Sequence, residues 1–298
     1  MKPILSHTNS LLLCGCHQKA QCHLHHLGRP ELRDDPRQSP KGYVDRYPLD
    51  RIKIPENFLP KYPQREEIGA GKGLRDEKLA PFPRDEHAVK VNRQEYYAII
   101  THMDAQLGRV LDTLDREGLT KNTIVVFAGD NGLAVGQHGL LGKQNLYDHS
   151  IRVPLILAGP GIPAGQHTDT MVYLFDIFPT LCELLNLPIP STVDGKSFLP
   201  VLKDPKRKMR DGMVYAYRHY QRAIRTARWK MIRYNANGVQ NQQLFDLAAD
   251  PWEMKNLAEE PELKETRNQL DILMRMLLKQ NGDSLDLSKP DWGWRPNG

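Results

Sequence analysis

The sequence predicts an α/β protein in two units: a mostly parallel sheet with helices, followed by a small antiparallel sheet closed by a terminal helix. Three observations carry this. Two short apolar runs, residues 124–128 (IVVFA) and 153–158 (VPLILA), are bounded by Gly and Pro, as buried strands of a parallel sheet are. A long stretch of helical periodicity, residues 88–117, precedes them. From Met213 onward the pattern changes to four short segments, MVYAY, RAIRT, WKMIRY and QQLFDL, separated by turn residues such as Asn237-Gly238.

Taken in order, residues 1–33 hold three of the four cysteines and five of the eleven histidines. Thiolates and imidazoles at close spacing suit zinc or copper, but CGCH followed by CHLHH matches no established zinc spacing. The segment therefore reads as a disordered leader. Its apolar run, residues 11–14, is too short for a secretory core or a membrane span, so no export signal is visible and localisation stays open. Residues 33–85 are rich in Pro and charge and are expected as loops and extended segments. The helix over 88–117 should bury Tyr96, Ile100, Met103, Leu107, Val110 or Leu111, and Leu114, and stop at Gly118. After the two strands, a short helix is expected over 176–186, with Pro179 in its first turn. A last helix over 261–279 would bury Leu270, Leu273, Met274, Leu277 and Leu278. The expected boundaries are a leader at 1–33, an α/β domain at 34–205 and a C-terminal subdomain at 206–298.

The loop between the two apolar strands carries the chemistry. In open α/β sheets ligands sit beyond the carboxyl ends of strands, and Asp130 and Asn131 follow the first strand there. A carboxylate and an amide oxygen are hard donors suited to calcium or magnesium. The same Asp-Asn-Gly string also makes an ordinary turn. Lys143, twelve residues after Asn131, supplies a point charge for an anionic group. His138, in the GQHG turn between them, could face a substrate or bond a loop carbonyl.

The whole string DNGLAVGQHGLLGKQNLYDHSIRVPLI resembles the sulfatase family, in particular its iduronate-sulfatase-like and choline-sulfatase-like bacterial members. DPRQSPKGYVDRYPLDRIKIPENFLP and EYYAIITHMDAQLGRVLDTLDREG resemble the family's segments ahead of it. RAIRTARWKMIRY and QQLFDLAADPWEMKNLAEEPE resemble its C-terminal strands and exit turn. The resemblance implies an alkaline-phosphatase-like sandwich, a divalent metal, calcium in the first place, and hydrolysis of sulfate esters on a small molecule or glycan. It matches Asp130 and Asn131 to metal ligands and Lys143 to the lysine that contacts sulfate. Tyr147, Asp148 and Arg152 would orient the site or serve only in packing, and the DGKS turn at 194–197 would be structural.

Two departures qualify this. The family's nucleophile, a Cys or Ser in C/S-x-P-S/A-R that matures to formylglycine, occurs nowhere in the 298 residues, so no catalytic nucleophile is recognisable. The family's active-site histidine in Pro-His-Asp-Pro is replaced by Asp34 in Arg33-Asp34-Asp35-Pro36, and a carboxylate carries no proton near neutral pH. The expectation is the C-terminal part of a sulfatase, inactive alone. A metal- and anion-binding domain without turnover, or a phosphate or phosphonate monoester hydrolase, are the alternatives. Net charge is a modest +5, and the basic residues are scattered without a nucleic-acid footprint. Unevenly spaced cysteines give no disulfide framework, and oligomeric state is not readable.

Overall fold

The computed structural model describes residues 10–17, 21–27, 39–65, 74–236 and 238–293. The chain divides into two compact units that are not sequential stretches. The first comprises residues 1–31, 104–131 and 153–211; the second comprises 32–103, 132–152 and 212–298. The boundaries at 31 and 211 lie near the expected ones at 33 and 205, whereas those at 103, 131 and 152 fall inside the stretch expected as one domain.

The first unit holds a four-stranded sheet of order β2-β1-β3-β4, with β1 Ser10–His17, β2 Gln21–Leu27, β3 Thr123–Ala128 and β4 Leu155–Ala158. Residues 10–17 and 21–27 were expected as part of a disordered leader. Instead they form two paired strands, and β1 bonds along the whole of β3. The remaining leader residues, and Asp34 just after them, lie outside the described residues. The parallel pairing expected of β3 and β4 is also corrected, because they run antiparallel with Val126 opposite Leu157. The reason lies in the connection: residues 129–154 hold a single helix of four residues, Asp148–Ile151, too short for the crossover that parallel strands need, and the chain comes back at the end it left. The Gly129 N–H donates to the Pro154 carbonyl at 3.2 Å, closing that end. Ile124 and Val126 are buried with Leu181 of the helix α4 Ile177–Leu184, while Ile156 on the opposite face of β4 is 59% exposed. Each such buried aliphatic side chain contributes about 1.5–3 kcal/mol.

The second unit is built on a meander of β5 Met213–Tyr217, β6 Gln221–Arg225, β7 Trp229–Ala236 and β8 Val239–Asp246, all antiparallel. Asn237 lies outside the described residues, and Gly238 supplies the positive φ of +77° in the β7–β8 turn. Successive residues point to opposite faces, so each strand splits between two cores. Ile224, Met231 and Leu244 face the helix α6 Lys264–Gln280, meeting Leu270, Met274 and Leu278. Their neighbours Ala223, Ile232 and Phe245 face the other way, onto Tyr62, Leu140, Leu146 and Tyr147. That second face is what seats the loop carrying Lys143.

Three short helices complete the description: α1 Lys41–Val44 and α3 Asp148–Ile151 in the second unit, and α5 Leu199–Lys203 in the first. The long helix α2 Glu86–Arg116 buries Val89 and Ala98. Its expected apolar face is only partly covered, since Ile100 and Leu111 are 39% and 48% exposed. No helix among the described residues is long and apolar enough to cross a membrane.

Candidate active site

Asp130 and Asn131 follow β3 directly, in the first unit. Both are half-buried, and the Asp130 Oδ1 accepts the Asn131 backbone N–H at 2.8 Å, which fixes the carboxylate against its own turn. The donor chemistry fits a hard cation. The pair offers two of the six to eight oxygens calcium takes, in the usual range of ligand numbers. Among the described residues no group of three or more His, Cys, Asp or Glu is placed to hold a metal ion.

Lys143 lies in the second unit, on an irregular turn that has no ladder to pair its amides. Their acceptors are side chains, Glu77 and a Gln144 held by Asp76. The Glu77 carboxylate accepts the Leu141 N–H at 3.2 Å and the Gly142 N–H at 2.8 Å. The Lys143 N–H donates to Gln144 Oε1 at 3.2 Å, and Gln144 Nε2 donates to Asp76 Oδ2 at 3.1 Å. Gly142 makes this approach possible: a Cβ there would stand 2.5 Å from Gln144 Oε1 and 2.9 Å from Glu77 Oε1. The Lys143 side chain is half-buried.

Beyond Lys143 the loop is pinned a second time. Asp148 accepts from Arg225 twice, Nε to Oδ1 at 3.1 Å and Nη2 to Oδ2 at 3.1 Å, and lies 2.5 Å from the ammonium of Lys230, whose side chain is fully buried. Lys230 also donates to Glu253 at 2.6 Å, and the other Glu253 oxygen accepts the Asp148 N–H at 2.8 Å. Burial pushes the Asp148 carboxyl up, but Lys230 and Arg225 outweigh it and bring it down to about 2. Glu253 goes the other way, raised by its own burial and, after the offset from Lys230, by the Asp148 charge.

His138 is 5% exposed, with a left-handed φ of +52°. Its backbone N–H donates to the Asn57 carbonyl at 2.7 Å, Nε2 faces the Asn57 amide nitrogen at 3.2 Å, and the ring stacks on Tyr147 at 4.0 Å. Burial, reinforced by Lys230, lowers it to about 4, so the imidazole is neutral at physiological pH. Tyr147, on its other side, stacks with His149 and is pushed up to about 12 by burial.

The sequence thus leads to Asp130, Asn131, His138 and Lys143, of which the first two lie in one compact unit and the last two in the other. It does not lead to Glu77, Arg84, Lys230 or Glu253. The polar partners that would betray Glu77 are mostly backbone amides, which leave no trace in side-chain pattern.

Comparison with known proteins accords with this loop. Residues 33–187 match the family model described as sulfatase, and residues 136–280 match that of the N-sulphoglucosamine sulphohydrolase C-terminal region. Arylsulfatase K of Gallus gallus is 34% identical over 64% of this chain and 37% of its own length. The choline-sulfatase of Rhizobium meliloti (strain 1021) is 37% identical over 60% of this chain and 36% of its own. The chain therefore spans somewhat over a third of the length of these relatives. A solved structure in complex with its substrate D-glucosamine-2-N,6-O-disulfate is 28% identical, with a TM-score of 0.63 over 67% of this chain and 44% of the other. With the alkaline-phosphatase-like fold of these neighbours and the family model matched over more than half its residues, the chain belongs to the sulfatase family.

Proposed function

We propose that this chain serves the hydrolysis of sulfate esters, with Asp130 and Asn131 as ligands of a divalent metal, calcium in the first place, and Lys143 as a sulfate-binding cation. The observation that carries the reading is the D-N-G to G-K to R-V-P string, residues 130–154, issuing from β3 within the matched region. A bound calcium would supply positive charge at the end of β3. Lys143 adds a compact ammonium on a backbone fixed by Glu77 on one side and by Asp148 on the other. The substrate class is a sulfated glycan or small molecule, supported by the sulfated glucosamine held by a structural relative and by the choline-sulfatase among the sequence relatives. No residue of the 298 matches the family's nucleophile motif, so this polypeptide by itself binds without turning over.

Calorimetric titration tests the reading. Calcium should bind with a dissociation constant of about 0.1–1 mM, the range of weak oxygen sites. Asp130→Ala should remove that heat, and Lys143→Ala should remove binding of inorganic sulfate while leaving calcium. Calcium binding unchanged in Asp130→Ala refutes the metal assignment; sulfate binding unchanged in Lys143→Ala refutes the role of the lysine.

A further inference from the structure

A lysine on a flexible four-carbon stem recognises an anion well only if its Cα is held still, since each freed torsion adds entropy that binding must remove. The backbone around Lys143 is irregular, and what holds it is an ion pair that stability alone does not explain. Glu77 and Arg84 have side chains 2% and 0% exposed, joined at 2.7 Å. Arg84 is itself tied down: Nε reaches the Gly139 carbonyl at 3.3 Å, Nη2 the Glu77 carbonyl at 2.9 Å, and its guanidinium lies 3.8 Å from the centre of the Phe82 ring. Burial raises the Glu77 carboxyl more than Arg84 and the amides of Leu141 and Gly142 lower it. An apolar pair of equal volume is often as stable or more so than such a buried pair. What an apolar pair lacks is a fixed acceptor for two successive amides, and those amides immediately precede Lys143. Asp76, the residue before Glu77, holds Gln144 just after it.

We propose that Glu77, anchored by Arg84, is the positioning residue of Lys143, setting the turn so that its ammonium is pre-aimed at a sulfate oxygen. This rests on the reading of Lys143 as a sulfate-binding group. The glycine at 142 belongs to the device, because any side chain there would push the carboxylate away.

The test titrates the chain with sodium sulfate at constant calcium and constant ionic strength, following the amide resonances of residues 141–144 by NMR, with melting temperature measured in parallel. Wild type, Glu77→Gln, Gln144→Ala, Lys143→Ala and the Glu77→Gln/Lys143→Ala double variant are compared, all below their melting transitions. Glu77→Gln should weaken sulfate about tenfold, the usual scale for removing a residue that orients a binding group. Gln144→Ala, which leaves the buried pair intact, should weaken it less but measurably, and Glu77→Gln should have no further effect once Lys143 is gone. If Glu77→Gln and Gln144→Ala lower the melting temperature but leave sulfate affinity at the wild-type value, the pair is merely structural and the proposal is overturned. If Glu77→Gln does not fold, the same two outcomes are read from Gln144→Ala alone. If wild type shows no saturable shift, or Lys143→Ala binds as wild type does, the underlying role of Lys143 fails and the proposal with it.

Discussion

Lowering the pH from 7 to 5 should destabilise the second unit through His138 alone by about 2 kcal/mol. The imidazole is enclosed by Asn57 and Tyr147 and has its folded pKa depressed to about 4, against 6.5 unfolded. A depressed folded value contributes stability above the unfolded pKa and loses it as pH falls toward the folded one, because the unfolded chain takes up the proton first. At pH 5 the unfolded state gains a factor of about 33 from protonation and the folded state about 1.1, which is about 2 kcal/mol; at pH 7 the same arithmetic gives about 0.2. Urea unfolding followed by tryptophan fluorescence reads this unit, since all four tryptophans lie in residues 212–298. Glu77 and Glu253, raised in the fold, oppose the trend, and His149, lowered by burial, adds to it. The comparison is therefore with His138→Asn, an amide that tolerates the left-handed backbone at this position. The variant should be less stable at pH 7, yet lose about 2 kcal/mol less than wild type on going to pH 5. Parallel stability curves over that interval refute the reasoning, as does an imidazole resonance of His138 that titrates near pH 6.5.

Three further outcomes are expected. Lys230→Met, which strands Asp148 and Glu253 without their shared cation, should cost about 3–5 kcal/mol in urea unfolding, and adding Asp148→Asn and Glu253→Gln should recover most of it; no recovery would mean that lost packing is the cause. Gly132→Ala places a Cβ 1.9 Å from the His149 carbonyl, so it should destabilise by about 1–3 kcal/mol, and an unaltered melting temperature would contradict the close approach. The purified 298-residue polypeptide should not hydrolyse a chromogenic aryl sulfate above background, and turnover abolished by Lys143→Ala would disprove this.

The legible parts of the fold are those whose cause is local. The strands β5 to β8 announce themselves by β-branched and aromatic runs between turn residues, and α6 by apolar residues at helical spacing, of which Leu270, Met274 and Leu278 are buried. The orientation of β3 and β4 is not local, since an apolar run of four to six residues is the same string whichever way its partner runs. Only the course of residues 129–154 decides it, and that segment carries no signal of where it returns. Asp130, Asn131 and Lys143 are singled out because they stand in a string that resembles a family. Lys230 is not: in W-K-M-I it reads as a solvated strand residue, and only Asp148 and Glu253, far away in sequence, make its burial tolerable. The strands at residues 10–27 escape notice because the cysteines and histidines there draw attention to metal chemistry instead of to pairing.

The interleaving of the two units has a consequence in time. Residues 132–152, with the lysine turn, leave the ribosome well before the residues that pin them, Arg225, Lys230 and Glu253, have been made. Glu253 follows Lys143 by 110 positions in the chain, a delay of about 5–20 s at ordinary elongation rates. Throughout that interval Asp148 is an ordinary hydrated carboxylate, and the far end of the lysine turn has nothing to anchor it. The turn is thus held at its near end by Glu77 long before its far end is fixed, and premature termination anywhere past residue 143 but before 253 yields the Glu77 anchor without the one that Lys230 and Glu253 provide.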